Sequence, residues 1–268
     1  MPILKFRDLD FYYKIYGDGP TALLFIHGLG GNSDSWKYQI DFFRKDYRII
    51  TVDLFGHGQS SGNVDPVPAP RLDAEAAVSL MHDIVKKPYF VIGHSFATNI
   101  IPEIIKMDQT LLKGAVFVDC TYQGFDDVIE SRMALANKML ALSSEALPIE
   151  TANWYDSIIG PKVSPEDREF IHSSLEQCRL RWLFESVGGC RDYCSKYPPK
   201  DTPVNDDFPV YIMEADNAVG ADFRKSWVNH FKNARYYLFD NAWHFFFVTK
   251  REIFNRLLSD FLQKNLNL

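Results

Sequence analysis

The chain has 268 residues, of which 46% are hydrophobic and 15% aromatic, and its 29 basic against 35 acidic residues leave a formal charge of −6. That length is enough to bury a large core in one or two domains, while the acidic balance and the lack of a Lys/Arg run argue against nucleic acid as a partner. The apolar runs are of strand length and too short to span a bilayer. The charged start Met1–Asp8 has no apolar h-region, so a cytoplasmic protein without a membrane span is expected. Cys120, Cys178, Cys190 and Cys194 form no CxxC pair and have no histidines spaced around them as ligands. Free thiols and no metal are therefore the expectation.

In chain order, Ile3–Phe6 and Phe11–Tyr16 read as two early strands, with Gly17-Asp18-Gly19-Pro20 as the turn that follows. Ala22–Ile26 is a continuous apolar strand running into His27-Gly28-Leu29-Gly30-Gly31. Ser33–Lys45 has helical spacing, with Trp36, Ile40 and Phe43 on one face. Arg48–Val52 is the next buried strand and ends at Asp53-Leu54-Phe55-Gly56-His57-Gly58. After the Pro-rich stretch Pro66–Pro70 comes a helix near Leu72–Lys86, then the strand Tyr89–Ile92. A helix over Ala97–Met107 carries Pro102, which is expected to bend it. Ala115–Val118 is another strand.

From Thr121 to about Asn205 the strand rhythm stops. Helical patterns over Asp126–Ala141 and Pro165–Glu185 dominate, with Gly188-Gly189 and Pro198-Pro199 as expected interruptions. Alternation resumes with the strand Val210–Met213, a helix near Asp222–Phe231, the strand Arg235–Phe239 and an amphipathic helix from about Phe247 to Leu262. Strand–helix alternation with a helical insertion implies an α/β fold. The expected sheet is mostly parallel, with helices on both faces and the site at the strand C-termini.

The segment Tyr89-Phe90-Val91-Ile92-Gly93-His94-Ser95-Phe96-Ala97 carries the chemistry. An apolar strand ends in a small residue, a serine and a second small residue, and a helix follows. A serine on such a turn has its hydroxyl pushed out above the sheet edge, with the next backbone N–H aimed at the same spot. Positions 93 and 97 must be small because the turn is tight. The plain alternative is a serine capping the following helix. A serine nucleophile needs a base within reach, since its own hydroxyl does not ionise at neutral pH.

These residues resemble the α/β-hydrolase fold family. The resemblance rests on His27-Gly28-Leu29-Gly30-Gly31, Asp53-Leu54-Phe55-Gly56-His57-Gly58-Gln59-Ser60, Gly93-His94-Ser95-Phe96-Ala97, Glu214-Ala215-Asp216 and Asn241-Ala242-Trp243-His244-Phe245, in family order. Ala97 stands where the family usually has Gly, Thr98 where it has another small residue, and Met213 where Gly is common. The resemblance implies an eight-stranded type of sheet formed by residues 1–120 and 206–268, with a helical cap over 121–205.

It also implies Ser95 as nucleophile and His244, on the loop after the last strand, as base. Asp216 is expected as the acid, from the Ser…Asp…His order. Asp119, at the end of the preceding core strand, competes for that role, and Glu214 competes less well. The backbone N–H groups of Leu29 and Phe96 are expected to form the oxyanion hole. His27 and His57 are expected to brace loops, and His94 to point away from the nucleophile or line the pocket edge. His82, His172 and His230 read as surface or packing residues. Trp154, Tyr155, Trp182, Phe184 and Tyr193 are divided between pocket and packing, whereas Trp243 and Phe245 flank the base as pocket neighbours.

The activity so implied is cofactor-independent hydrolysis of a small or medium carboxylic ester, thioester or lactone through an acyl-enzyme, the partner being a small apolar carbonyl substrate. Hydrolysis of a carbon–carbon bond in a diketone, a ligand receptor with a retained triad, and a cofactor-free oxygenase are the alternatives.

Overall fold

A computed structural model describes residues 2–62, 70–120, 126–198, 201–202, 207–217, 230–231 and 234–266. Eight strands form one sheet in the order β1-β2-β4-β3-β5-β6-β7-β8. They are β1 (Ile3–Phe6), β2 (Leu9–Tyr16), β3 (Ala22–Ile26), β4 (Arg48–Val52), β5 (Tyr89–His94), β6 (Leu112–Val118), β7 (Val210–Ala215) and β8 (Arg235–Phe239). The β1/β2 and β2/β4 pairings are antiparallel and every other pairing is parallel.

The central strands read as near-continuous apolar runs because both faces are covered. Leu24, Ile26, Val91 and Phe117 point into one core layer, and Leu23, Phe25, Ile92 and Val116 into the other. Helices α2 (Pro70–Ser79) and α3 (Ile101–Met107) supply Ala74, Ala77, Ile101 and Ile104 to the first layer. Helix α1 (Lys37–Phe43) and the C-terminal helix Arg251–Asn265 supply Ile40, Phe43, Phe254 and Leu258 to the second. Between β6 and β7 the chain forms α4 (Asp126–Leu140), α5 (Ala146–Ile159), α6 (Pro165–Ser173) and α7 (Leu180–Lys196). This insertion has a small core of its own around Met139, Leu183 and Phe184.

Several element boundaries differ from the sequence expectation for identifiable reasons. Pro102 does not bend a helix, because it sits in the first turn of α3, where its missing N–H has no intrahelical partner to lose. The preceding Ser95–Asn99 is a 3-10 turn rather than α-helix. Gly188 and Gly189 do not interrupt α7 but lie inside it; a side chain at Gly188 would meet only Met133 Cε, at 3.8 Å. The pattern over Pro165–Glu185 divides into α6, a short 3-10 turn at Leu175–Gln177 and the start of α7. The helix near Leu72–Lys86 is α-helical only to Ser79 and continues as a π-helical turn over Leu80–Val85. The last helix is broken at Lys250, with Phe246–Thr249 forming a separate turn. The helix expected near Asp222–Phe231 lies largely outside the described residues.

Candidate active site

Strand β5 ends at His94, and the chain turns at Ser95 with φ 54°, a left-handed conformation that a non-glycine residue adopts at some cost. The smallness required on either side is visible in the contacts. A Cβ on Gly93 would lie 2.9 Å from Ile101 Cδ1 and 3.1 Å from Ala97 Cβ. The loop after β3 approaches just as closely, since a Cβ on Gly28 would lie 2.9 Å from Ser95 Cβ. Only a glycine at 28 lets the two loops meet, and the meeting brings Leu29 beside Ser95 and Phe96 on one cavity wall. Among the described residues, neither the Leu29 N–H nor the Phe96 N–H is spent on a hydrogen bond.

The loop carrying Leu29 is braced by two histidines. His27 Nδ1 donates to the Gly28 carbonyl (2.7 Å), while its Nε2 accepts from the Leu54 N–H (3.0 Å). His57 Nδ1 donates to the Phe55 carbonyl (3.2 Å), while its Nε2 accepts from the Gly30 N–H (3.1 Å). Both rings therefore act as donor and acceptor at once, which requires the neutral form. Burial pushes His27 down to about 4 and, with His27 beside it, His57 to about 3. Asp53 completes the brace by accepting from the Ser33 and Gln59 N–H groups (2.6 and 2.8 Å).

His244 follows β8 on the loop Asp240–Phe245, and both of its backbone groups are held. Its N–H donates to the Ile158 carbonyl of α5 (3.2 Å), and its carbonyl accepts from His94 Nε2 (3.0 Å). His94 thus turns away from the cavity and serves the His244 backbone.

Of the two aspartates weighed as the acid, Asp119 and not Asp216 meets the His244 ring. Asp119 stands one residue beyond β6 with φ 49°. Its Oδ2 pairs with His244 Nδ1 in a short contact, and its Oδ1 accepts from the Ala215 N–H (3.1 Å). Asp216 is occupied elsewhere. Its two oxygens accept from the Asn241 N–H (2.7 Å) and the Ala242 N–H (2.8 Å), closing the turn that leads to His244. Burial alone would raise the Asp216 carboxyl, but the N–H groups of Ala242, Asn241 and Asn217 outweigh it and hold the group low. Glu214 remains inside β7. Both Asp119 and Asp216 stand directly after a buried strand, as Asp53 does after β4, so that pattern in the sequence does not choose between them.

Ser95, Asp119 and His244 line one cavity of about 270 Å³. Leu29, Phe96, Trp243 and Phe245 line it from the sheet side, while Trp154, Leu183, Phe184 and Val187 line it from the insertion. The other insertion aromatics dock on the core. Tyr155 Oη donates to the Leu29 carbonyl in a short bond, Trp182 Nε1 donates to the Phe55 carbonyl (3.1 Å), and Tyr193 Oη donates to Glu103 Oε2 (2.7 Å). Arg132 of α4 also lines the cavity, and no sequence pattern singled it out. Among the described residues no group of three or more His, Cys, Asp or Glu is placed to hold a metal ion, and no helix is long and apolar enough to cross a membrane.

The arrangement puts a strained serine, an imidazole backed by a carboxylate and two uncommitted N–H groups at the rim of one sheet. Comparison with known proteins bears on the fold. The chain is 29% identical over 131 residues to a dihydrolipoyllysine-residue acetyltransferase component of an acetoin cleaving system from Cupriavidus necator, covering 47% of this chain and 34% of the relative. It is 27% identical over 157 residues to an (E)-2-((N-methylformamido)methylene)succinate hydrolase from Acinetobacter baylyi, covering 58% of each protein. These matches thus take in less than two thirds of either relative's length. A thermophilic esterase from Thermogutta terrifontis superposes with a TM-score of 0.79 at 15% identity, over 96% of this chain and 94% of the other, a likeness of fold. The model of the alpha/beta hydrolase family matches residues 23–257, and with the sheet order and strand-end loops described above, the chain belongs to that family.

Proposed function

We propose that the protein is a serine hydrolase that cleaves a carboxylic ester, thioester or lactone through an acyl-enzyme, with Ser95, His244 and Asp119 as its triad. The observation that carries this reading is the Asp119–His244 pair opening on the same cavity as Ser95. Asp119 fixes the tautomer of His244 with hydrogen on Nδ1, which leaves Nε2 free to take the Ser95 proton. The Ser95 oxygen attacks the carbonyl carbon, and the oxyanion that develops is met by the N–H groups of Leu29 and Phe96. Each such donor supports the transition state by ~3 kcal/mol. The His244 imidazolium then returns its proton to the leaving alcohol or thiol. Water activated by the same ring releases the acid and restores Ser95.

In this reading residues 121–205 form a cap that closes the cavity and selects the acyl group. The two partial-length matches, to an acetyltransferase component and a succinate-derivative hydrolase, support the reaction class without choosing the bond. The test is labelling by a fluorophosphonate, with the adduct located by mass spectrometry. Stoichiometric modification of Ser95 that disappears in Ser95→Ala, together with a loss of turnover of roughly a million-fold in that variant, is the expected result. Labelling without measurable turnover would turn the reading toward a ligand receptor.

A further inference from the structure

Arg132 projects from α4 into the wall of the cavity that holds Ser95, Asp119 and His244, and its surroundings there include Leu135, Ala136, Leu183 and Val187. Among the described residues, no carboxylate is paired with its guanidinium. Asp119 is the anion whose field reaches it, but that carboxylate is already committed to His244 and to the Ala215 N–H. Cys190 is the other neighbour, and burial holds its thiol in the neutral form. A half-buried cation in a largely apolar cavity without a paired anion is costly, and proteins normally meet it with one. Burial lowers the Arg132 guanidinium only to about 10, so the cation persists at neutral pH.

We infer that the substrate brings the missing anion: the cavity takes an ester that carries a second, ionised carboxylate, which Arg132 clamps while Ser95 faces the scissile carbonyl. This rests on the hydrolase reading and narrows it to half-esters of dicarboxylic acids or esters with an acidic leaving group. Carboxylate is preferred over phosphate on charge. Arg132 is the one cation among the described residues lining the cavity, and it balances a single negative charge rather than two. The planar fork of a guanidinium also matches a carboxylate with two parallel hydrogen bonds. The apolar substrate that the resemblance implies becomes, on this inference, an amphipathic one, with an apolar body against Phe184 and Leu183 and an acidic end at Arg132.

The experiment compares monomethyl succinate, glutarate and adipate with methyl butyrate, pentanoate and hexanoate, in which a methyl replaces the free carboxylate. The readout is the ratio of kcat/KM within each pair. For the wild type at least one ratio should favour the half-ester by about tenfold or more, the worth of a charge-assisted bidentate contact. Arg132→Gln should bring that ratio down to about one or below, and Arg132→Lys should retain part of it. Because each ratio is internal to one protein, a general loss of folding or activity cancels. A wild-type ratio at or below one in every pair, or a ratio unchanged in Arg132→Gln, overturns the inference. Should no ester be cleaved, calorimetric titration with monomethyl glutarate and monomethyl adipate against methyl pentanoate and methyl hexanoate decides it separately. Binding of the half-esters that is lost in Arg132→Gln would keep the carboxylate site while removing the hydrolase reading. No selective binding would remove the site as well.

Discussion

Two aspartates near the C-terminal ends of adjacent strands have different tasks, and the difference lies in what their oxygens face. Asp119 sees a ring nitrogen of His244, whereas Asp216 sees the backbone N–H groups of Asn241 and Ala242. Replacing Asp119 with Asn puts an amide where the Nδ1 proton must be accepted and invites the wrong tautomer. Turnover of a phenyl ester should fall by roughly ten-thousand-fold. Asp216→Asn weakens a turn closed at the surface, so activity should stay within about threefold while stability falls by about 1 kcal/mol. Steady-state rates and urea midpoints on the two variants check this. A larger rate loss in Asp216→Asn than in Asp119→Asn would restore Asp216 as the acid.

At the scale of elements, the insertion is attached to the loops that carry Leu29, Phe55 and His244 by a few polar contacts. Helix α5 reaches the Leu29 carbonyl through Tyr155 and the His244 N–H through the Ile158 carbonyl, and α7 reaches the Phe55 carbonyl through Trp182. The fit at two glycines is close. A Cβ on Gly30, at φ 75°, would lie 2.2 Å from Tyr155 Oη, and one on Gly56, at φ 81°, would lie 1.7 Å from Trp182 Cδ1. Tyr155→Phe removes the donor to Leu29 and keeps the ring. The loop that presents the Leu29 N–H then loses one anchor, and kcat should drop by about tenfold with little change in KM, the mark of an interaction used in the transition state. An equal rise in KM with kcat unchanged would make Tyr155 a pocket residue instead.

How far the sequence reaches is visible in these same elements. The strands of the core were legible because burial on both faces writes unbroken apolar runs such as Ala22–Ile26 and Tyr89–Ile92. The tight turn at Ser95 and the glycine loop at Leu29 were legible because turn sterics leave a local spelling. Asp119 against Asp216 was not legible, since both follow parallel strands and only the three-dimensional hydrogen bonds separate them. Arg132 was hidden for a different reason. On a helix of ordinary amphipathic composition an arginine reads as solvated, and only the placement of α4 over the cavity encloses it.

At the scale of the whole molecule, the buried histidines link stability to pH. His27 and His57, depressed to about 4 and about 3, and His94, depressed well below its ordinary value, are all held neutral by burial. The unfolded chain takes up these protons below about pH 6.5, while the folded protein does not until near pH 4 or lower. Their contribution is therefore complete above about pH 6.5 and is lost as pH falls toward the folded values. Asp73 works in the opposite sense. Burial raises its carboxyl to about 7, against a hydrogen bond from the Phe55 N–H that favours the anion. The folded state holds that proton between about 3.8 and 7, where the unfolded chain has lost it, so Asp73 stabilises on the acid side and weakens the fold as pH rises. Three histidines against one carboxyl leave about two more protons on the unfolded chain near pH 5.5, a slope of at most ~3 kcal/mol per pH unit. The unfolding free energy from urea titration should thus fall steeply between about pH 7 and about pH 5. His57→Gln keeps an acceptor for the Gly30 N–H without a titrating ring, and should flatten that slope by about one proton. An equally steep curve in that variant would mean that the His57 ring is not the group whose protonation opens the loop, and would move the acid sensitivity to His27 and His94.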